Sequence, residues 1–235
     1  GIKIDKDYFV YKEALEKDYF CKRADGPYMK GKVWPGECNF PDYTNPVVRE
    51  WWAGLFKELI SDIGVKGVWN DMNEPAVMEV PNKTFPMDVR HDYDGNPCSH
   101  RKAHNIYGTQ MARATYHGVK RFAYPKRPFV ITRSAYAGAQ RYSSSWTGDN
   151  VASWEHLWIA NIQMQRMSIS GMGFTGSDIG GFAEQPSGEL YARWIQLGVF
   201  HPFCRTHSSG DHGDQEPWAF DEEVTNIIRK FVNLR

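Results

Sequence analysis

Apolar residues recur at helical spacing directly after Asn45-Pro46. An asparagine N-cap followed by proline at the first helical position is a favoured helix start. The apolar positions that follow lie three or four residues apart and are Val47, Val48, Trp51, Trp52, Leu55, Phe56, Leu59 and Ile60. This spacing predicts an amphipathic helix with one broad apolar face, which Gly64 ends.

Short apolar runs alternate with further helical patterns along the rest of the chain. The runs predict strands at 65–70, 129–132, 142–146, 171–176 and 199–204. The helical patterns cover 104–122, 153–167, 188–197 and a final helix capped by Asp221. Residues 75–103 have no clear period and many turn formers, which predicts a long loop, and long loops in compact domains are usually functional.

Helices that alternate strictly with short buried strands predict a parallel sheet. Polar residues follow the predicted strands, and they are Asp71, Arg133, Asp149, Asp178 and His207. In a barrel of alternating strands and helices the active site lies at this strand-end face. An open doubly wound sheet follows a similar rule, but no G-x-G-x-x-G turn follows a strand, which disfavours a nucleotide site.

The composition is that of an ordinary soluble globular protein. The chain has 235 residues, 41% hydrophobic and 24% charged, with a formal net charge of zero. No basic excess indicates nucleic acid, and no long apolar run indicates a membrane span. The 9 Trp, 12 Tyr and 13 Phe residues suit a packed core and also suit stacking on sugar rings. The four cysteines lack metal-finger spacing, and neither compartment nor oligomeric state follows from the sequence.

Two carboxylates on separate strand ends suit glycoside hydrolysis. One must stay ionised at the anomeric carbon, and the other must protonate the leaving oxygen. Asp71 and Asp149 are the candidates. Spacing alone leaves a second interpretation open, because an aspartate at a strand end commonly caps the next turn.

A metal-dependent hydrolase is a further alternative. His207, Asp211, His212 and Asp214 are residue types that bind metals. All of them lie in one Gly-Ser-rich loop, with no ligand from an earlier strand, so a solvated loop is the better interpretation and we expect no metal.

Five segments together resemble one enzyme family. They are Trp69–Pro75 (WNDMNEP), His104–Gly108 (HNIYG), Arg133-Ser134 with Trp146–Asn150 (WTGDN), Ser177–Phe182 (SDIGGF) and Pro202–His207 (PFCRTH). In this order they resemble glycoside hydrolase family 31, the α-glucosidase family, across nearly the whole chain.

The resemblance implies a role for each candidate residue. Asp71 would be the nucleophile and Asp149 the general acid/base of a retaining mechanism, with carboxyl groups about 5–6 Å apart. Glu74 would orient the nucleophile strand from behind. Residues that would grip sugar hydroxyls are Arg133, Asp178 and His207. Residues that would wall the first sugar subsite are Trp34, Trp69, Trp146 and Phe182.

The fold implied is α/β, a (β/α)8 TIM barrel. A closed barrel has eight strands, whereas the pattern predicts about five, so we expect an incomplete barrel from about the third strand through the last strands. We therefore interpret 1–235 as the catalytic barrel portion of a longer polypeptide, with 75–103 as a long active-site loop. Expressed by itself, this chain should be poorly soluble and have little activity.

The substrate implied is an oligosaccharide or α-glucoside, cleaved to release glucose from the non-reducing end without a cofactor. The alternatives are an α-xylosidase or another α-glycosidase of the same family and, from another class, a non-catalytic carbohydrate-binding remnant. Hydrolysis of aryl α-glucoside against aryl α-xyloside separates an α-glucosidase from an α-xylosidase.

Overall fold

A computed structural model describes residues 1–210 and 213–235. The chain divides into two compact units, 1–143 and 144–235.

The first unit begins with a small antiparallel sheet. Its strands are β1 (Ile2–Lys3), β2 (Lys30–Val33) and β3 (Gly36–Asn39), in the order β1-β3-β2, with helix α1 (Phe9–Glu16) between β1 and β2. Gly36 has a φ of 104°, so the tight turn between β2 and β3 uses a conformation that glycine adopts freely. The sequence pattern predicts no element before Asn45, and this region departs from the alternation of the rest of the chain because β2 and β3 form a hairpin.

Helix α2 (Pro46–Gly54) confirms the predicted start. The Asn45 side chain accepts a hydrogen bond from the Val47 N–H at 2.8 Å, and Pro46 occupies the first turn. A π-helical turn (Glu58–Asp62) follows, and Gly64 with a φ of 85° ends the helical path. The predicted single helix is thus interrupted after Gly54.

Two parallel strands position the first half of the candidate residues. Strands β4 (Val68–Asn70) and β7 (Val130–Thr132) pair in parallel, with Val68 opposite Val130 and Asn70 opposite Thr132. The parallel pairing predicted for 65–70 and 129–132 is confirmed, although both strands are shorter. Helix α3 (His100–Ala123) lies between them in the chain, as a parallel connection requires.

The region 75–103 contains more regular structure than predicted. Strands β5 (Arg90–His91) and β6 (Cys98–Ser99) form an antiparallel pair, and α3 begins at His100 rather than at residue 104.

Within the described ranges, no helix is both long enough and apolar enough to cross a membrane.

Aromatic rings fill the core of the first unit. Phe40 and Phe85 pack edge to face at 4.9 Å, and Tyr43 contacts Tyr107 at 5.4 Å. All four are buried, with aliphatic side chains such as Val48 around them. Much of the aromatic content of this unit is therefore accounted for by core packing.

Among its described residues, the second unit contains two pairs of parallel strands. They are β8 (Ser144–Trp146) with β9 (Thr175–Gly176), and β10 (Asp178–Ile179) with β11 (Arg205–Thr206). The helices are α4 (Trp154–Ile169), α5 (Gly188–Gly198) and α6 (Glu222–Leu234). The Asp221 side chain accepts a hydrogen bond from the Val224 N–H at 2.8 Å, which confirms the predicted cap.

Two strand predictions in this unit need correction. The Gly-rich strand at 171–176 is reduced to residues 175–176, because α4 runs on to Ile169 and Gly171 turns the chain with a φ of 86°. The strand predicted at 199–204 is wrong, since Val199 caps α5 and packs with the helices, and the strand lies at Arg205–Thr206. Short apolar runs do not by themselves distinguish strand from helix.

His201, which follows α5, is buried and allows the packing of the second unit to be tested. It is 3% exposed, and within the described residues neither ring nitrogen has a hydrogen-bond partner. Burial, with a smaller effect from Arg235, lowers the pKa of His201 from 6.5 to about 4. The unfolded chain takes up this proton near pH 6.5, so the contribution to stability is complete above that pH and is lost as the pH falls toward 4.

We predict that His201→Leu flattens the acid limb of the stability profile. The wild-type free energy of unfolding should fall by on the order of 3 kcal/mol more than that of the variant between pH 6.5 and 4. Urea titrations of the full-length protein across this range measure the difference. Parallel profiles would show that His201 is not held neutral.

Candidate active site

Asp71 lies immediately beyond the carboxyl end of β4. Its Oδ1 accepts a hydrogen bond from the Met72 N–H at 2.8 Å, and its side chain is 40% exposed. Met72 has a φ of 54°, unusual for a residue other than glycine, and its carbonyl accepts a hydrogen bond from the Ala76 N–H. The chain therefore turns sharply after Asp71 and leaves the carboxylate accessible.

Arg133 joins Asp71 to Glu74. One terminal guanidinium nitrogen lies 3.1 Å from Asp71 Oδ1. The Nε and the other terminal nitrogen donate to the two Glu74 oxygens at 2.8 and 3.3 Å. Arg133 is the residue after β7 and donates its backbone N–H to the Asn70 carbonyl. The parallel register therefore brings the predicted nucleophile, the predicted orienting acid and their shared cation together.

The buried Asn73 side chain connects the turn after Asp71 to the rest of the first unit through hydrogen bonds. It is 2% exposed, and its Nδ2 donates to Thr132 Oγ1 at 2.8 Å and to the Gly108 carbonyl at 3.3 Å. Its Oδ1 accepts from the Ser134 N–H at 3.1 Å. The turn is thereby fixed to both β7 and α3. Asn73 lies within the WNDMNEP motif, but the sequence alone indicates no role for it.

The predicted aromatic walls of this unit differ in exposure. Trp69 lies in β4 and is 42% exposed, whereas Trp34 lies in the turn between β2 and β3 and is 82% exposed. Trp34 is thus not a core residue.

Asp149 lies three residues beyond β8 in the second unit, on a turn that the hydrogen bonds of its neighbour Asn150 hold in place. Asp149 itself is exposed, whereas its neighbour Asn150 is buried. Asn150 Nδ2 donates to the Asp178 carbonyl at 2.9 Å, and Asn150 Oδ1 accepts from the Phe182 N–H at 3.0 Å. Gly148 has a φ of 81°, which places the bend directly before the acid. The arrangement leaves Asp149 accessible on an anchored backbone.

Asp178 is fully buried and paired with Arg205. Arg205 donates to Asp178 Oδ1 at 2.5 Å, and the two residues are opposite each other in the β10–β11 register. The Arg205 guanidinium also lies 5.5 Å from the ring centre of Trp146, which is 2% exposed. Arg205 lies within the quoted PFCRTH segment but was given no role. A buried aspartate requires a cation or several donors, but the burial of Asp178 becomes visible only in the fold.

Phe182 and His207 form a further pair. Their ring centres are 5.3 Å apart with planes inclined by 31°. Phe182 follows β10, and His207 directly follows β11. The structure therefore brings together two more of the predicted sugar-binding residues.

Residues 1–235 match the family model of the glycosyl hydrolases family 31 TIM-barrel domain. The chain belongs to glycoside hydrolase family 31. This confirms the family resemblance and, at the level of fold class, the TIM-barrel assignment.

Relatives of this family 31 chain are similar over its whole length. Alpha-glucosidase 2 of Bacillus thermoamyloliquefaciens is 47% identical over 237 residues, covering 100% of the chain and 30% of the relative. Neutral alpha-glucosidase C of Homo sapiens is 43% identical, with 100% and 26% covered. A crystal structure of the glucosidase II alpha subunit, in a form bound to alpha3-Glc2, matches with a TM-score of 0.92 at 39% identity, covering 99% and 25%. The chain thus spans about a quarter to a third of the length of these proteins.

The metal-hydrolase alternative concerned the loop after His207. Asp211 and His212 lie outside the described residues. The His207 ring packs on Phe182, and Asp214 is exposed with its carbonyl accepting from Gln185 Nε2. The described contacts of His207 thus link it to a predicted sugar-binding residue.

Gly108 tests how tightly α3 holds the Asp71 turn. A Cβ at this position would lie 2.7 Å from the Asn73 carbonyl oxygen and from Ser134. We predict that Gly108→Ala lowers the free energy of unfolding by about 1–3 kcal/mol, because backbone must move to accept the methyl group. Thermal or urea unfolding measures this change.

Gly54→Ala is the matched control. It is also a helical glycine, but a Cβ there meets nothing within 4 Å. This variant should be unchanged or more stable by up to about 1 kcal/mol. Equal effects of the two substitutions would contradict the close approach at Gly108.

Proposed function

We propose that the protein carrying this chain is a retaining α-glucosidase that releases glucose from the non-reducing ends of α-glucosides. The family membership supports glycoside hydrolysis, and whole-chain similarity to proteins named α-glucosidases supports the glucoside. The chain supplies a catalytic portion of a (β/α)8 barrel, and 75–103 is a loop of its active site.

Asp71 is the proposed nucleophile, and the Asp71–Arg133–Glu74 arrangement is the observation that carries this proposal. A nucleophilic carboxylate must be ionised, and a cation 3.1 Å from Oδ1 stabilises that charge. Glu74 holds the guanidinium through two hydrogen bonds, so the cation cannot turn fully toward Asp71. Asp71 thereby keeps lone pairs for attack on the anomeric carbon.

Asp149 is the proposed general acid/base. In the first step Asp71 forms a bond to the anomeric carbon while the glycosidic C–O bond breaks, and Asp149 gives its proton to the leaving oxygen. In the second step Asp149 takes a proton from water, the water oxygen bonds to the anomeric carbon, and Asp71 leaves. Asp149 is exposed, and hydrogen bonds hold its neighbour Asn150 in place, which suits a carboxyl group that exchanges protons with solvent.

The remaining residues are proposed to bind the sugar. Trp34, Trp69 and Phe182 are assigned to apolar walls, and Trp146, which is 2% exposed, is assigned to the same wall from behind the Arg205 guanidinium. Arg133 and His207 are assigned to hydroxyl groups. Because Asp178 is fully buried against Arg205, we assign Asp178 to the same subsite acting through the Arg205 guanidinium. The Phe182 and His207 rings lie 5.3 Å apart, so an apolar ring and a polar ring are adjacent.

The activity itself is tested on the full-length protein with aryl α-glucoside and aryl α-xyloside. The proposal expects a higher kcat/KM for the glucoside. A preference for the xyloside would move the protein to the α-xylosidases, and the absence of turnover of both would favour a carbohydrate-binding remnant.

Azide distinguishes the two carboxylates. In Asp71→Gly, azide can enter the space of the missing carboxylate and attack from the β face, which should restore turnover and give a β-glucosyl azide. In Asp149→Ala, azide should attack the glucosyl-enzyme from the opposite face and give an α-glucosyl azide. The anomeric proton coupling in NMR spectra identifies each product.

Each variant serves as the control of the other. The same azide anomer from both would contradict the separate roles. Substantial activity of Asp71→Asn without azide would contradict the nucleophile assignment.

Leaving-group dependence tests the acid role of Asp149. General acid catalysis contributes on the order of 10²–10⁴ in rate. We predict that Asp149→Ala loses a factor in this range on substrates with poor leaving groups and much less on the activated aryl glucoside, which needs little protonation. Single-turnover rates across a series of leaving groups measure this, and equal losses across the series would contradict the assignment.

A further inference from the structure

A second chemically unusual cluster lies within the first unit, apart from the proposed catalytic residues. Cys21, Asp42 and His91 are all buried. His91 Nδ1 lies 3.1 Å from Asp42 Oδ1 and 3.8 Å from Cys21 Sγ. One potential ligand atom from each residue lies within 4.8 Å of the others. We propose that Cys21, Asp42 and His91 bind one Zn²⁺ ion, with water in the fourth position.

The spacing of these atoms suits a tetrahedral zinc ion. Zinc bond lengths of about 2.3 Å to sulfur and about 2.0–2.2 Å to nitrogen and oxygen, at tetrahedral angles, separate nitrogen from oxygen by about 3.4 Å and sulfur from nitrogen by about 3.6 Å. The observed separations are 3.1 and 3.8 Å. These two separations are within about 0.3 Å of the tetrahedral values, and the third, between the Cys21 and Asp42 ligand atoms, is no more than 4.8 Å.

The donor set also favours zinc over harder ions. A thiolate with an imidazole and one carboxylate suits zinc, whereas magnesium and calcium prefer oxygen ligands. Zinc binds cysteine as the thiolate, so binding would release the Cys21 thiol proton.

Asp42 is already held as a metal-binding carboxylate would be. Its Oδ1 accepts hydrogen bonds from the Thr44 hydroxyl at 2.6 Å and the Thr44 N–H at 3.1 Å, and its Oδ2 accepts from the Asp92 N–H at 2.7 Å. Such donors behind a ligand fix its orientation and raise metal affinity. The orientation of the carboxylate is therefore already fixed beside Cys21 and His91.

A chain of histidines supports His91 from the other side. His91 Nε2 lies 2.9 Å from His100 Nδ1, and His100 Nε2 lies 3.0 Å from His104 Nδ1. Without metal, Asp42 accepts the Nδ1 proton of His91, so each ring carries its proton on Nδ1. With zinc on His91 Nδ1, the protons move to the Nε2 atoms, and every hydrogen bond in the chain is kept with its direction reversed. The network thus accommodates both states.

A cavity gives access to the cluster. All three residues line a cavity of about 240 Å³, together with Lys22, Arg90 and Asp92. This volume exceeds that of one water molecule, so it can hold the fourth ligand. Cys21 follows α1, Asp42 precedes α2 and His91 lies in β5. Zinc would therefore connect the segments on either side of the N-terminal antiparallel sheet to the region 75–103.

The test uses the full-length protein after treatment with a chelator. Zinc is titrated back, and X-ray absorption at the zinc edge reports the ligands on the unmodified protein. We expect one sulfur at about 2.3 Å with nitrogen and oxygen at about 2.0–2.2 Å. Cobalt in place of zinc should give a thiolate-to-metal charge-transfer band in the near ultraviolet.

Variants locate the site. Cys21→Ser should lose one bound metal per chain and the charge-transfer band, whereas Cys38→Ser, at an equally buried cysteine in β3, should keep both. Thr44→Val removes the hydroxyl that donates to Asp42 and accepts from the Tyr93 N–H, and it should weaken zinc by about 10–100-fold. If Cys21→Ser does not fold, the absorption spectrum of the unmodified protein decides. A zinc site without sulfur, or equal metal content in the Cys21 and Cys38 variants, would show that the cluster is only a hydrogen-bonded network.

Discussion

The Arg133 guanidinium, shared between Asp71 and Glu74, is the interaction on which the first half of the candidate site depends. Asn70 and Thr132 are opposite each other in the β4–β7 register, so the next residue of each strand is an acid on one side and its cation on the other. A shift of register would separate the two charges and leave Arg133, whose side chain is 20% exposed, without its carboxylates. The pairing of β4 with β7 therefore determines which charged side chains lie next to each other.

The same principle recurs in the second unit. Asp178 and Arg205 are opposite each other in the β10–β11 register, and the buried carboxylate is satisfied by the neighbouring strand. Buried amides complete both arrangements, because Asn73 anchors the Asp71 turn and Asn150 anchors the turn that carries Asp149. Accessible acids on anchored backbones are what a catalytic site requires.

Much of this was predictable from the sequence where local chemistry decides the structure. The Asn45 and Asp221 caps, the periodic helices and the parallel pairing of the strands before Asp71 and Arg133 follow from spacing and capping. The antiparallel sheet at the N-terminus was missed because its strands have only two to four residues, too few to show a period. The strand predicted at 199–204 failed because an apolar run also suits the end of α5. The polar candidates follow from their positions at strand ends, and the family resemblance assigns their roles, while their partners Asn73, Asn150 and Arg205 emerge only from contacts distant in sequence.

The central claim is that Asp71 forms a covalent intermediate, so that hydrolysis retains configuration. Two displacements at the anomeric carbon return the α anomer, whereas a single displacement by water gives the β anomer. The most direct measurement is a proton NMR time course of the first glucose released from an aryl α-glucoside by the full-length protein, recorded before mutarotation. The account predicts α-glucose first, and initial release of β-glucose would contradict it.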